Sequence, residues 1–183
     1  MQLRDNAVSY GTVTRWLHWG TATLIVMMLA LGWGRELFSE DAERALMSVH
    51  ISLGIAILAL AAARVAWRLM NPRRPPREAD LTGRLATAVQ WSLLALLLLM
   101  PLTGWLLVNG AGHVPGFFGL FSLPSLVGKS ESMKELSEGI HETLPWVLVG
   151  VLALHILGAL KHHYFDRDAT LRRMVRAGGA GAR

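Results

Sequence analysis

Cysteine is absent from the 183 residues. That excludes a disulfide framework, a thiolate metal site, an iron–sulfur cluster and covalently attached c-type haem, all of which need cysteine sulfur. Charge is scarce as well. Asp, Glu, Lys and Arg make up 17% of the chain against 52% hydrophobic residues, and the mean hydropathy is +0.38. A soluble globular domain carries roughly a quarter charged residues, so the composition argues against a water-soluble enzyme and equally against a disordered chain. Internal repeats, low-complexity tracts and the alternating pattern of a membrane β-barrel are also missing. A sequence pI near 10.4 suggests nucleic acid as a partner only if the basic residues form one soluble patch, and they do not.

Long apolar runs are what the chain has in quantity. A hydrocarbon core about 30 Å thick needs roughly 20 mostly apolar residues in a helix, which satisfies its own backbone in lipid. Residues 16–33, 46–67, 85–108 and 140–163 meet that requirement, interrupted chiefly by Arg64 near the end of the second run. The first run is longer than the apolar region of a secretory signal and contains a histidine, so it reads as retained. The expected fold is an all-α membrane protein, a four-transmembrane-helix bundle occupying residues 1–183 as one domain, with linkers at 68–84 and 109–139.

Lys and Arg resist translocation, so their distribution sets orientation. Fourteen of the 18 fall on one side: Arg4, Arg15, Arg64, Arg68, Arg73, Arg74, Arg77, Arg84, Lys161, Arg167, Arg172, Arg173, Arg176 and Arg183. Arg35, Arg44, Lys129 and Lys134 fall on the other. Both termini are therefore expected in the cytoplasm, and a basic cytoplasmic face accounts for the pI without nucleic acid.

Polar side chains inside a membrane bundle are costly and point to function by default. His18 sits early in the first run, His50 early in the second, His141 at the start of the fourth and His155 deep within it. From His141 to His155 is fourteen residues, which returns to within about 40° of the starting direction and advances about 21 Å. Alternating helix direction then puts His18 at the depth of His155 and His50 at the depth of His141. Two cross-helix imidazole pairs result, one near each surface, an arrangement suited to bis-histidine ligation of two b-type haems. Structural hydrogen bonding of isolated histidines is the plain alternative; a divalent-metal transporter would want carboxylates at mid-membrane, and only Glu142 is close to an imidazole.

Each ligand imidazole needs an acceptor for its other ring nitrogen, and the positions one turn earlier are Thr14, Leu46, Ser137 and Val151. Gly54 and Gly158 leave room for a flat macrocycle. Arg64, fourteen residues beyond His50, repeats the same facing at the inner depth and is a candidate partner for a haem propionate, with snorkelling as its ordinary explanation. His162 continues the His155 face at the cytoplasmic surface, where it is placed either to donate to a quinone carbonyl or to be solvated beside His163. His113 has no ligand role, and Trp16, Trp19, Trp33, Trp67, Trp105 and Trp146 read as interfacial belts.

These residues resemble the bacterial cytochrome b561 family. The likeness runs through Trp16-Leu17-His18-Trp19, His50 with Ser52 and Gly54, Asn71-Pro72, Pro101 with Gly104, and His141-Glu142-Thr143-Leu144. It continues through Leu154-His155, His162-His163-Tyr164-Phe165, Asp168, Thr170-Leu171 and Met174. The resemblance implies a small di-haem b protein of the bacterial inner membrane with His18, His50, His141 and His155 as axial ligands. It further implies, from one branch of the family, a superoxide oxidase passing electrons from superoxide outside the cytoplasm through the haems to ubiquinone. Where some relatives carry a histidine in the third span, this chain has Gln90.

The expected function is thus transmembrane electron transfer, with quinone reduced near His162 and Arg15 and no nucleophile or general base required. Membrane lipid, quinone and superoxide are the expected partners; a protein partner is possible but nothing in the sequence indicates one. The alternatives are the cytochrome b anchor subunit of a hydrogenase or formate dehydrogenase, and a haem-free transporter or structural membrane protein.

Overall fold

The structure is a computed structural model that describes residues 2–34, 37–71 and 81–175. Five helices and one small hairpin follow in the order α1 (Thr12–Gly34), α2 (Glu40–Met70), α3 (Leu81–Gly110), β1 (Gly116–Phe117), β2 (Phe121–Ser122), α4 (Glu131–Tyr164) and α5 (Thr170–Val175). Among the described residues, the first three and α4 are the four helices long and apolar enough to cross a membrane. Arg35, Pro72, Arg73, Arg74, Arg77, Arg176 and Arg183, used above for orientation or likeness, lie outside the described residues.

All four long helices overrun the apolar cores expected from sequence. The largest difference is α4, which starts at Glu131 where a start near Ile140 was expected. The connection from α3 to α4 is correspondingly shorter and carries β1 and β2, paired antiparallel with Phe117 opposite Phe121. The physical reason is that an exposed polar turn continues a helix wherever its ends are capped. Ser130 accepts from the Met133 N–H at 3.3 Å and Lys134 bonds Glu131 at 2.9 Å, so the helix needs no lipid to begin.

The contacts divide the chain into two compact units, one made of residues 1–20, 62–95 and 148–183, the other of 21–61 and 96–147. In the first, the amino-terminal segment folds back to supply what the start of α1 lacks. The Gln2 and Leu3 carbonyls accept from the Thr12 and Val13 amides at 2.9 and 3.4 Å. Buried Asp5 accepts from the Gly11 amide and the Thr14 hydroxyl, both at 2.7 Å. Those amides would otherwise be orphaned at a helix end. Trp67 donates to the Thr14 hydroxyl at 2.8 Å, and the Arg68 guanidinium stacks 4.3 Å over Trp91.

The second unit holds its buried apolar residues Ile25, Leu53, Ile57, Ala61, Leu96 and Leu97 together with fully buried Thr21, Ser52 and Asn109. Few large side chains are buried among the described residues, whereas Val26 in α1 and Leu157 in α4 are 64% and 62% exposed. Apolar residues facing outward along spans of this length face lipid, where packing between helices and not hydrophobic exclusion holds the fold.

Gly11 has no room for a side chain, since a Cβ there would collide with the Leu3 carbonyl oxygen and the Arg4 backbone. Gly11→Ala should therefore cost about 1–3 kcal/mol by forcing the backbone to move. Gly139→Ala, with nothing within 4 Å, should be neutral or stabilise by up to about 1 kcal/mol through helix propensity. Thermal unfolding in detergent, followed by circular dichroism, checks the contrast.

Candidate haem-type imidazole pairs

In the first unit, α1 carries His18 and α4 carries His155, and their rings lie 6.1 Å apart between centroids with planes inclined at 55°. Trp19 packs edge-on against His18 at 5.1 Å and donates its indole N–H to the Met174 carbonyl at 3.1 Å, which ties α5 to α1. The Arg64 guanidinium, on α2, lies within electrostatic reach of both rings. A half-buried cation thus stands beside two imidazoles with no acidic partner among the described residues. The Thr14 hydroxyl, expected to serve His18, is already engaged with Asp5 and Trp67.

In the second unit, His50 of α2 and His141 of α4 lie 6.2 Å apart between centroids, with planes at 74°. The partner of His141 is not Ser137 one turn earlier. Its Nδ1 sits 3.1 Å from the Met100 carbonyl oxygen and 3.0 Å from the Thr103 hydroxyl, both on α3. A carbonyl can only accept, so Nδ1 carries the proton and Nε2 keeps its lone pair. Thr103 donates onward to the same Met100 carbonyl at 2.7 Å, closing a three-membered network.

The correction has a steric basis: the Cε1 and Nδ1 edge of the ring comes up against α3 at Gly104, where a Cβ would approach His141 Cε1 to 3.0 Å. A ring lying against α3 finds its acceptor on that helix, not on its own. Thr103 and Met100 thus orient a functional group that spacing along α4 did not reveal; a threonine beside Pro101 in an otherwise uncharged span was the available signal.

The remaining predicted positions fall as follows. His162 Nδ1 is 2.9 Å from Asp168 Oδ2 and 3.1 Å from Asp166 Oδ2, at the carboxyl end of α4. Arg15 bonds the Thr12 hydroxyl at 3.3 Å, and among the described residues no hydrogen bond joins it to His162. Gly54 has only the Met28 methyl at 3.9 Å, and Gly158 meets nothing within 4 Å. His113 is exposed, its carbonyl accepting from Asn109 at 2.9 Å. Among the described residues no group of three or more His, Cys, Asp or Glu side chains gathers as a bare metal ion would need.

The donor sets can be tested against an iron porphyrin. Two metal–nitrogen bonds of about 2 Å, plus the distance from each nitrogen to its ring centre, put the centroids of two axial imidazoles about 6 Å apart. Both pairs have that separation, and the tautomer of His141 leaves Nε2 free. The residues fit the group.

A multi-pass helical membrane protein with opposed imidazoles inside its spans is the class that fold and geometry define. Comparison with known proteins sharpens it. The family described as prokaryotic cytochrome b561 matches residues 9–177. "Cytochrome b561 homolog 2" of Escherichia coli (strain K12) is 29% identical over 179 residues, 96% of this chain and 95% of that protein. "Probable superoxide oxidase CybB" of Yersinia pestis is 28% identical over 165 residues, 87% of this chain and 91% of that protein. "Cytochrome b561 homolog 1" of Escherichia coli (strain K12) is 29% identical over 166 residues, 87% and 93% of the two chains. The chain belongs to the prokaryotic cytochrome b561 family, membrane electron-transfer proteins that bind haem b. Membership sets aside the haem-free transporter.

Asp168, beyond the last span, gives a pH dependence with a definite sign. Burial raises its pKa, but the Thr170 amide, the Thr170 hydroxyl and His162 outweigh burial and hold the carboxyl below its ordinary value. A depressed carboxyl pKa contributes stability that is present above the unfolded value near 3.9 and lost as pH falls through the folded value. Amide exchange of Thr170–Val175 should therefore lose its excess protection over Asp168→Ala as the pH is taken below about 4, and the two should already differ at pH 7.

Proposed function

We propose that the protein moves electrons across the membrane through two haems b, one held by His18 and His155 and the other by His50 and His141, from superoxide to ubiquinone. The observation that carries this reading is the pair of centroid separations, 6.1 and 6.2 Å, each made by two imidazoles on different helices. Bound there, haem iron supplies reversible one-electron chemistry, which suits a one-electron donor and a two-electron acceptor. Two superoxide anions each give up an electron and become dioxygen, and ubiquinone takes both electrons and two protons to become ubiquinol.

The protein's own residues have separable tasks. His18 and His155 leave a half-buried cation, Arg64, to compensate the carboxylate charge of a propionate, since a lone cation at that depth is costly. Met100 and Thr103 fix the His141 tautomer. Asp168 and Asp166 bring carboxylate oxygens to 2.9 and 3.1 Å from His162 Nδ1, which places the imidazole to relay a proton to a quinone oxygen, with Arg15 as a hydrogen-bond donor on the same cytoplasmic surface. The termini lie in the cytoplasm of a bacterial cell and the α3–α4 connection on the outside, by the distribution of Lys and Arg.

On that outer side Arg44 is paired with Asp41 at 2.6 Å and Lys134 with Glu131 at 2.9 Å. Lys129 has no ion pair among the described residues, which makes it the cation best placed to attract a small anion. The identity of 28% to a protein named probable superoxide oxidase supports the donor.

Wild-type protein in detergent should hold about two haems per chain, and His50→Ala and His155→Ala about one each, because each substitution removes one of two axial ligands at one site. All three measurements use the pyridine haemochrome. Thr103→Val should weaken haem retention at one site by about 10- to 100-fold, the usual cost of removing a ligand's orienting partner. With superoxide and a soluble ubiquinone analogue, wild type should reduce quinone and both alanine variants should not. Lys129→Gln should slow the reaction and flatten its dependence on salt. Intact haems with no quinone reduction would count against superoxide as donor and favour the subunit of a larger dehydrogenase.

A further inference from the structure

The connection between α3 and α4 is unlike a water-facing loop. From Leu85 to Gly128 there is no Asp, Glu, Lys or Arg, so α3 and the hairpin beyond it form one uncharged stretch. The tip exposes Phe118, Leu120 and Phe121, at 51%, 77% and 52%. A soluble turn of this length would place polar residues there.

The anchoring of the hairpin sets its depth. The Phe118 amide donates to Ser52 Oγ at 2.9 Å, and the same hydroxyl lies 3.3 Å from the Gly116 carbonyl. Ser52 is fully buried in α2, eight residues beyond Arg44 and inside the charge-free run that extends from there to Arg64. Eight residues of helix advance about 12 Å. The hairpin is thus bonded to the span well past its last charge.

Trp105, five residues before the end of α3, donates to the Pro124 carbonyl at 3.0 Å and so holds the returning limb at a comparable level. Backbone at such depth must be satisfied by protein. Part of it is: Leu120 bonds the Phe117 carbonyl and Leu123 the Pro115 carbonyl, both at 2.9 Å, and Leu126 bonds buried Asn109 at 2.8 Å. Several backbone polar groups thus bond inward while the largest apolar side chains turn outward, with Ser122 and Ser125 the exposed polar side chains of the hairpin.

We propose that the α3–α4 hairpin is a re-entrant element whose tip, Leu120 and Phe121, sits among lipid acyl chains of the adjoining leaflet. Continuity with the lipid-facing surface of the spans identifies the occupant, and the reading does not depend on the haem or superoxide assignments. Functionally, such a tip anchors the outer end of the second unit in lipid and leaves the polar residues beyond Gly128 to meet water.

The absence of cysteine makes the test direct. Leu120→Cys and Phe121→Cys, each carrying a nitroxide label in the haem-loaded protein reconstituted into phosphatidylcholine vesicles, are compared by electron paramagnetic resonance with Val26→Cys in mid-span and Ser132→Cys in the exposed start of α4. Oxygen should collide with the tip labels several-fold more often than a water-soluble nickel chelate does, as at Val26, with the ratio inverted at Ser132. Collision with nickel at the Ser132 level would place the tip in water and overturn the proposal. Immobilised labels shielded from both reagents would show that a second copy or another protein covers the tip, and would overturn it equally.

Discussion

An imidazole within a lipid-spanning helix has no water to bond, so both of its nitrogens must be accounted for by protein or by a bound group. Much of the structure follows from meeting that demand. In the second unit α3 presents a carbonyl, a hydroxyl and a glycine to one face of His141, so the proton is fixed on Nδ1 and the ring cannot turn. Opposite, His50 stands at the spacing that a metal between two such rings would impose. The first unit meets the demand differently. Its N-terminal segment, Trp67 and α5 lock the start of α1, and Arg64 brings positive charge beside His18 and His155.

Sequence periodicity was a good guide to what lies along one helix and a poor one to what lies across two. The four spans were legible because a stretch of about 20 apolar residues has few other uses. The overrun of α4 to Glu131 was not, because apolarity marks lipid and is silent about a polar helix start. Fourteen-residue spacing put His141 and His155 on one face of α4. The same logic assigned Ser137 to His141, yet a ring packed against a neighbouring helix takes its partner from there. The glycine that permits this, Gly104, was visible only as part of a family likeness. At Thr14 the hydroxyl at the expected position donates to Asp5 and accepts from Trp67, two tertiary contacts that spacing along α1 does not announce.

The hairpin between α3 and α4 was also hidden, for a further reason. Without charge it reads as an extension of apolar sequence, and its two-residue strands are too short to leave an alternating pattern. What defines it is tertiary: one buried serine and one buried asparagine supply the hydrogen bonds that a non-helical backbone requires near lipid. Ser52 lies two residues after His50, about 200° around α2, so the hairpin is attached at the depth of that imidazole but on another face of the helix.

The central claim is that each pair of opposed imidazoles clamps one iron. Electron paramagnetic resonance of the oxidised protein at liquid-helium temperature reads axial ligation directly. The account predicts only low-spin ferric signals of the bis-imidazole type, in two components, with one lost in a variant of either pair. A high-spin signal from five-coordinate iron in the unaltered protein, or a single low-spin component abolished by substituting either pair, would contradict it.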